Sequence, residues 1–119
     1  MSEPEGMTFY RPMGRKELDL VAASGWRLFP PRLPEQPIFN PVLNLEYASE
    51  IARWNMEEAG AGYVVRFRVE EAWASRYPVR TVGSRRHQEL WVPAEELEEF
   101  NRNIMGQIEL VAEFRQDSP

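Results

Sequence analysis

With 119 residues, 43% of them hydrophobic and 12% aromatic, the chain has the length and composition of one folded domain. The absence of cysteine and the presence of one histidine, His87, exclude thiol catalysis, disulfides and multi-histidine metal centres, so no metal is expected. No stretch approaches the roughly 20 apolar residues of a membrane span. The acidic opening Met1–Gly6 lacks a secretory pattern, so the cytoplasm is the expected location.

A net charge of -5 argues against duplex nucleic acid as a main partner. The charge is unevenly distributed, with six arginines against two glutamates from Arg66 to Arg86 and four glutamates without a base from Pro93 to Phe100. All bases but Lys16 are arginine. The guanidinium fork suits phosphate or carboxylate, so a local anion site stays open beside the plainer reading of arginine as a solubilising cation.

In chain order, alternation over Thr8–Met13 predicts a strand with Phe9, Arg11 and Met13 on one face, and Pro12 places it at an edge or ends it. Leu18, Val21 and Ala22 predict a helix from Arg15 to Ser24, closed by Gly25. Trp26–Phe29 reads as a brief extended run. Five prolines between Pro30 and Pro41 forbid a helix, and the apolar Leu33, Ile38 and Phe39 predict a stiff ordered loop. Asn44 is the expected N-cap of a helix from Leu45 to about Ala59, buried along Ala48, Ile51, Ala52 and Met56.

Tyr63–Val69 alternates most clearly, with Arg66 and Arg68 opposite the apolar residues. A helical turn is expected around Trp73, then a basic connection to Arg86. His87–Val92 alternates again, sending Leu90 and Val92 one way and His87, Glu89 and Trp91 the other. Pro93 opens a helix carrying Leu97, Phe100 and Ile104, with Gly106 as its breaker. A last strand, Gln107–Phe114, is expected to turn Ile108, Leu110, Ala112 and Phe114 inward. Early helices and late strands predict a single α+β domain: strand, helix, strand, helix, then a strand-rich half.

The sequence has no phosphate loop, no G-x-G-x-x-G and no G-x-S-x-G elbow. The glutamates after Pro93 fit the outer side and first turn of a helix. Glu89 stands out as a carboxylate within an apolar strand, where it faces either a cleft or an open sheet face paired with Arg66 or Arg68. Arg11 is its counterpart in the first strand, otherwise explained by a surface ion pair. Trp91 is expected to pack under a neighbouring loop, because a fully exposed Trp in mid-strand is rare.

Gln88–Leu97 followed by Ile108–Phe114 resembles the carboxy-terminal part of the ADP-ribosyltransferase fold: a Glu leading an apolar strand, a segment opening with Pro, and a closing strand. Phe9-Tyr10-Arg11 is similar to that family's first strand, and Ile38-Phe39-Asn40-Pro41 leading to Tyr47-Ala48 to its middle strand and helix. The chain as a whole resembles small bacterial proteins carrying an ADP-ribosylation/crystallin name. The family's middle motif has Ser-Thr-Ser or Tyr where this chain has Phe39-Asn40, and His87 stands where arginine-modifying members have Glu or Gln.

The resemblance implies NAD as a substrate, with Glu89 stabilising an oxocarbenium-like ribose and His87 orienting an acceptor or taking its proton. It implies Arg11 on the ribose or pyrophosphate, Tyr10, Phe39 or Tyr47 around the nicotinamide ring, and Asn40 in the same binding role. Two other functions stay open. One is a non-catalytic module whose protein partner docks on Arg32, Leu33 and Phe39. The other is a nucleic-acid end-processing relative that uses the arginines from 66 to 86.

Overall fold

A computed structural model describes residues 5–32, 37–83 and 87–115. It is an α+β domain built on an antiparallel sheet. Three long strands form its centre: β1 (Gly6–Met13), β3 (Ala61–Glu70) and β7 (Ile104–Arg115), with β3 in the middle. The sheet continues past β1 through one residue. Val42 pairs with Tyr10 on one side and with Glu89 on the other, so it joins β1 to the small hairpin β4 (Arg80–Thr81) and β5 (Gln88–Glu89). A further pair, β2 (Ile38–Phe39) with β6 (Val92–Pro93), extends the same alignment of residues 38–43 against 88–93.

Helices cover both faces. On one lie α1 (Arg15–Ala23), α3 (Glu71–Ala74) and α4 (Leu97–Arg102), closing an aromatic core of Phe9, Phe29, Phe39, Phe67 and Phe100. The Phe29 ring lies 4.8 Å from both Phe39 and Phe67, within the range of favourable aromatic pairs. On the other face α2 (Leu45–Ala59) packs Tyr47, Ala48 and Ala52 against Val42 and Val64. The bounds of α2 follow from local chemistry. Asn44 Oδ1 accepts the Tyr47 N–H at 2.7 Å, and Gly60 takes the left-handed terminal conformation at φ 87°.

Several expectations are corrected. Trp26–Phe29 forms a turn rather than a strand, held by the Ser24 hydroxyl, which accepts the Arg27 and Leu28 N–H groups. The helix after Pro93 is a 3-10 turn (Ala94–Glu96) running into α4, and it ends at Arg102. Ile104 begins β7, and Gly106 at φ 74° lies inside that strand at an irregularity opposite Arg66 and Arg68. Val64 pairs with Ala112 but Val65 with Leu110, so Val111 is an extra residue in β7. That bulge reverses the alternation. Ile108 joins the aromatic core, Ala112 and Phe114 turn to α2, and Leu110 is exposed.

Candidate functional site

A cleft of about 590 Å³ opens where β1 parts from the segment before α2. The cause is Pro12. In an antiparallel ladder, residues two apart present their backbone to the same edge. Tyr10 exchanges both hydrogen bonds with Val42 at 2.8 Å, but Pro12 has no N–H to repeat the exchange. Beyond Tyr10 the strands separate, and Arg11, Pro12 and Met13 line one wall while Asn40, Val42 and Glu89 line the other. The volume is in the range of small-molecule sites.

The Glu89 carboxylate is held by three donors. Oε1 accepts from Trp91 Nε1 at 2.6 Å and from Asn40 Nδ2 at 3.2 Å, and Oε2 accepts from the Tyr47 hydroxyl at 2.8 Å. A carboxylate has about four acceptor positions, so roughly one remains for a ligand hydroxyl. Each donor arrives by a different route. Trp91 shares the Glu89 face by alternation, and Asn40 is brought alongside by the antiparallel run of 38–43 against 88–93. Tyr47 comes from the first turn of α2, where Asn44 fixes its backbone. Burial and the bond to Glu89 push the Tyr47 phenol up to about 12, so it keeps its proton and acts as the donor.

Across the cleft, Glu17 from the first turn of α1 receives Arg11 Nε at 2.9 Å and Nη2 at 3.0 Å. The Arg32 guanidinium stands 3.7 Å from the same carboxylate. Burial, then the adjacent Arg11 charge, draw the Arg32 guanidinium below its ordinary value. Both guanidiniums also lie over the Phe39 ring, Arg11 at 4.9 Å and Arg32 at 5.9 Å from its centroid. The Arg11 and Arg32 side chains are only 12% and 9% exposed, so their charges face the cleft rather than open solvent.

The residues singled out in the sequence therefore separate into two groups. Arg11, Asn40 and Glu89 line the one cleft. Tyr47 supports it from behind through its hydroxyl. His87 stacks on Tyr47 with centroids 4.3 Å apart, and its Nε2 lies 3.1 Å from Glu50, outside the lining. Tyr10 points to the α2 face, opposite Arg11, and Phe39 is 0% exposed in the aromatic core. Neither Tyr10 nor Phe39 offers a free ring face to the cleft.

Glu89 is not paired with Arg66 or Arg68. Its cross-strand neighbours are Val42 and Arg80, and Arg66 bonds Glu109 instead. The packed Trp91 expected from the sequence is corrected too. Trp91 is 44% exposed, and the Arg80 guanidinium lies over its ring at 4.6 Å.

Glu17 was not legible as a partner of Arg11, since the pair forms only when α1 folds back on β1. The docking surface of Arg32, Leu33 and Phe39 loses Phe39 to the core, and Leu33 lies outside the described residues, as do Arg85 and Arg86. Among the described residues no group of three or more His, Asp or Glu side chains is placed to hold a metal ion. No family model, curated protein or solved structure matches the chain.

Proposed function

We propose that the cleft binds a nicotinamide dinucleotide or a related nucleotide, and that Glu89 promotes cleavage of the nicotinamide–ribose bond. One observation carries this reading: a carboxylate fixed by three donors and a pair of guanidiniums line the same cleft. A dinucleotide presents the complementary pattern of ribose hydroxyls beside a pyrophosphate. Arg11 keeps Nη1 without a bond among the described residues, so its planar fork can donate to a phosphate oxygen while Glu17 accepts from its other side.

When the bond breaks, its electron pair leaves with nicotinamide and neutralises the pyridinium. Positive charge develops on the ribose, and water then adds at C1' and gives up a proton to solvent, which completes hydrolysis to nicotinamide and the ribosyl product. Glu89, accepting the 2'-hydroxyl, stabilises that charge, and because its donors hold it in place it needs no reorganisation as the charge appears. Tyr47, Asn40 and Trp91 are positioning residues in this scheme. Trp91, rather than Phe39 or Tyr47, supplies the exposed ring beside the carboxylate.

The test is nicotinamide release by wild type and Glu89→Gln, with melting temperature as control. The amide keeps the shape and one acceptor but removes the charge. Release should fall about 100- to 1,000-fold, the cost of losing one preorganised electrostatic group. Equal release from both proteins would remove Glu89 from the chemistry. The binding half is read separately, as stabilisation of about 2.7 kcal/mol at a dinucleotide concentration 100 times its Kd.

A further inference from the structure

The face of the sheet that α2 leaves uncovered carries a second cavity, also of about 590 Å³. Its walls are Thr8 and Tyr10 of β1, Arg66 and Arg68 of β3, and Gln107 and Glu109 of β7. The register explains the grouping. Thr8 pairs with Arg68, Tyr10 with Arg66 and Arg66 with Glu109, and directly paired residues share a face. The two arginines, two positions apart on one strand, therefore stand side by side at roughly 7 Å, a spacing two guanidiniums can span around one phosphate.

Three features distinguish this face from a merely solvated one. Arg66 has an acidic partner, Glu109 at 3.2 Å, but Arg68 has no ion pair or hydrogen bond among the described residues. The Thr8 and Tyr10 hydroxyls likewise have no partner among those residues, so two neutral donors stand next to the cations. A seat is also built for Arg68. A Cβ added at Gly6 would stand 2.8 Å from Met105 Sδ and 3.0 Å from Arg68 Nη2, so the bare glycine leaves room for both side chains beside the start of β1. The local charge is positive in a chain of net charge -5.

From this arrangement we infer that the open face of β1–β3–β7 is a second anion site, specific for phosphate and its esters and separate from the Glu89 cleft. Arg66 and Arg68 supply the charge, and Tyr10 and Thr8 supply hydroxyl donors to the remaining oxygens. A row of paired residues, Glu89–Val42–Tyr10–Arg66, links the two sites across three strand spacings, about 14 Å.

The experiment is an NMR titration of the labelled full chain with inorganic phosphate and, separately, with a short single-stranded thymidine oligomer. Amide shifts should centre on Thr8, Tyr10, Arg66, Arg68 and Gly106. An Arg66→Gln/Arg68→Gln protein, whose changes are solvent-exposed, should bind at least tenfold more weakly without a change in melting temperature. Glu109→Gln should bind more tightly at these residues, because it frees Arg66, and Arg11→Lys, which lies in the other cleft, should leave the titration read at Thr8, Arg66 and Arg68 unchanged. Tighter binding of the oligomer than of phosphate, with a log–log salt slope near -1.4 for two phosphate contacts, identifies a strand as the source of the ester. Equal affinities identify a free phosphate group. Shifts that scatter over the surface, or that survive the double substitution, overturn the site.

Discussion

The Tyr47 hydroxyl donates to Glu89 Oε2 at 2.8 Å, although the two residues are 42 positions apart and lie on a helix and a two-residue strand. Tyr47→Phe keeps the ring that stacks on His87 and removes only this bond. A hydrogen bond to a charged group contributes about 1.5–3 kcal/mol, so the variant should melt measurably lower. Nicotinamide release should fall with it, because Oε2 loses its only fixed donor.

The same bond gives a pH signature. The Tyr47 phenol is raised from 10.0 to about 12 by burial and by Glu89. The folded state therefore holds a proton that the unfolded state gives up first. The contribution of Tyr47 is complete below pH 10 and is lost between about pH 10 and 12. Tyr77, bonded to Glu96 at 2.7 Å and also raised, adds to this alkaline limb. Chemical denaturation from pH 8 to 12 should show a shallower decline for Tyr47→Phe than for wild type. Identical slopes would disconnect Tyr47 from the titration.

Trp91→Phe isolates the indole N–H. Trp91 is 44% exposed and its bond to Glu89 lies at the solvent, where water can replace the lost donor, so the stability change should stay below about 1 kcal/mol. Glu89 Oε1 would retain only the longer bond from Asn40. Release should drop by about tenfold, equivalent to 1.4 kcal/mol of lost transition-state stabilisation. A large fall in melting temperature with unchanged release would instead make Trp91 a packing residue.

Arg11→Lys conserves charge and removes the fork that bonds Glu17 through two nitrogens. A point charge cannot hold Glu17 and a phosphate oxygen in fixed geometry together. The dinucleotide concentration needed for a given thermal shift should rise about tenfold or more. An unchanged titration would place the pyrophosphate elsewhere.

Gly62 tests the packing of α2 on the sheet. A Cβ there would overlap the Ala52 carbonyl, and a helix backbone cannot yield as a flexible side chain does. Gly62→Ala should cost about 3 kcal/mol or more and should loosen Tyr47 from Glu89 at a distance. Melting temperature together with the amide shift of Tyr47 checks both effects.

What the sequence determined by itself was local. Asn44, the apolar spacing after it and Gly60 set both ends of α2, because capping and periodicity act within a few residues. The alternation from Tyr63 to Val69 and from His87 to Val92 assigned each side chain to one of two faces. It put Glu89 and Trp91 together and singled out Arg11.

Tertiary structure decided which face met solvent and which strands were neighbours. Residues 88–93 run against 38–43 in one register, and nothing in either run marks that this pair parts from β1 beyond Tyr10 and Val42. That separation leaves Glu89 at the cleft. An inserted residue at Val111 reverses the inward face of β7 without altering its composition. Tyr47 reaching Glu89, and Glu17 clasping Arg11, depend on how helices fold back onto the sheet. Those pairings follow from burying both faces at once, a condition that no local run of residues expresses.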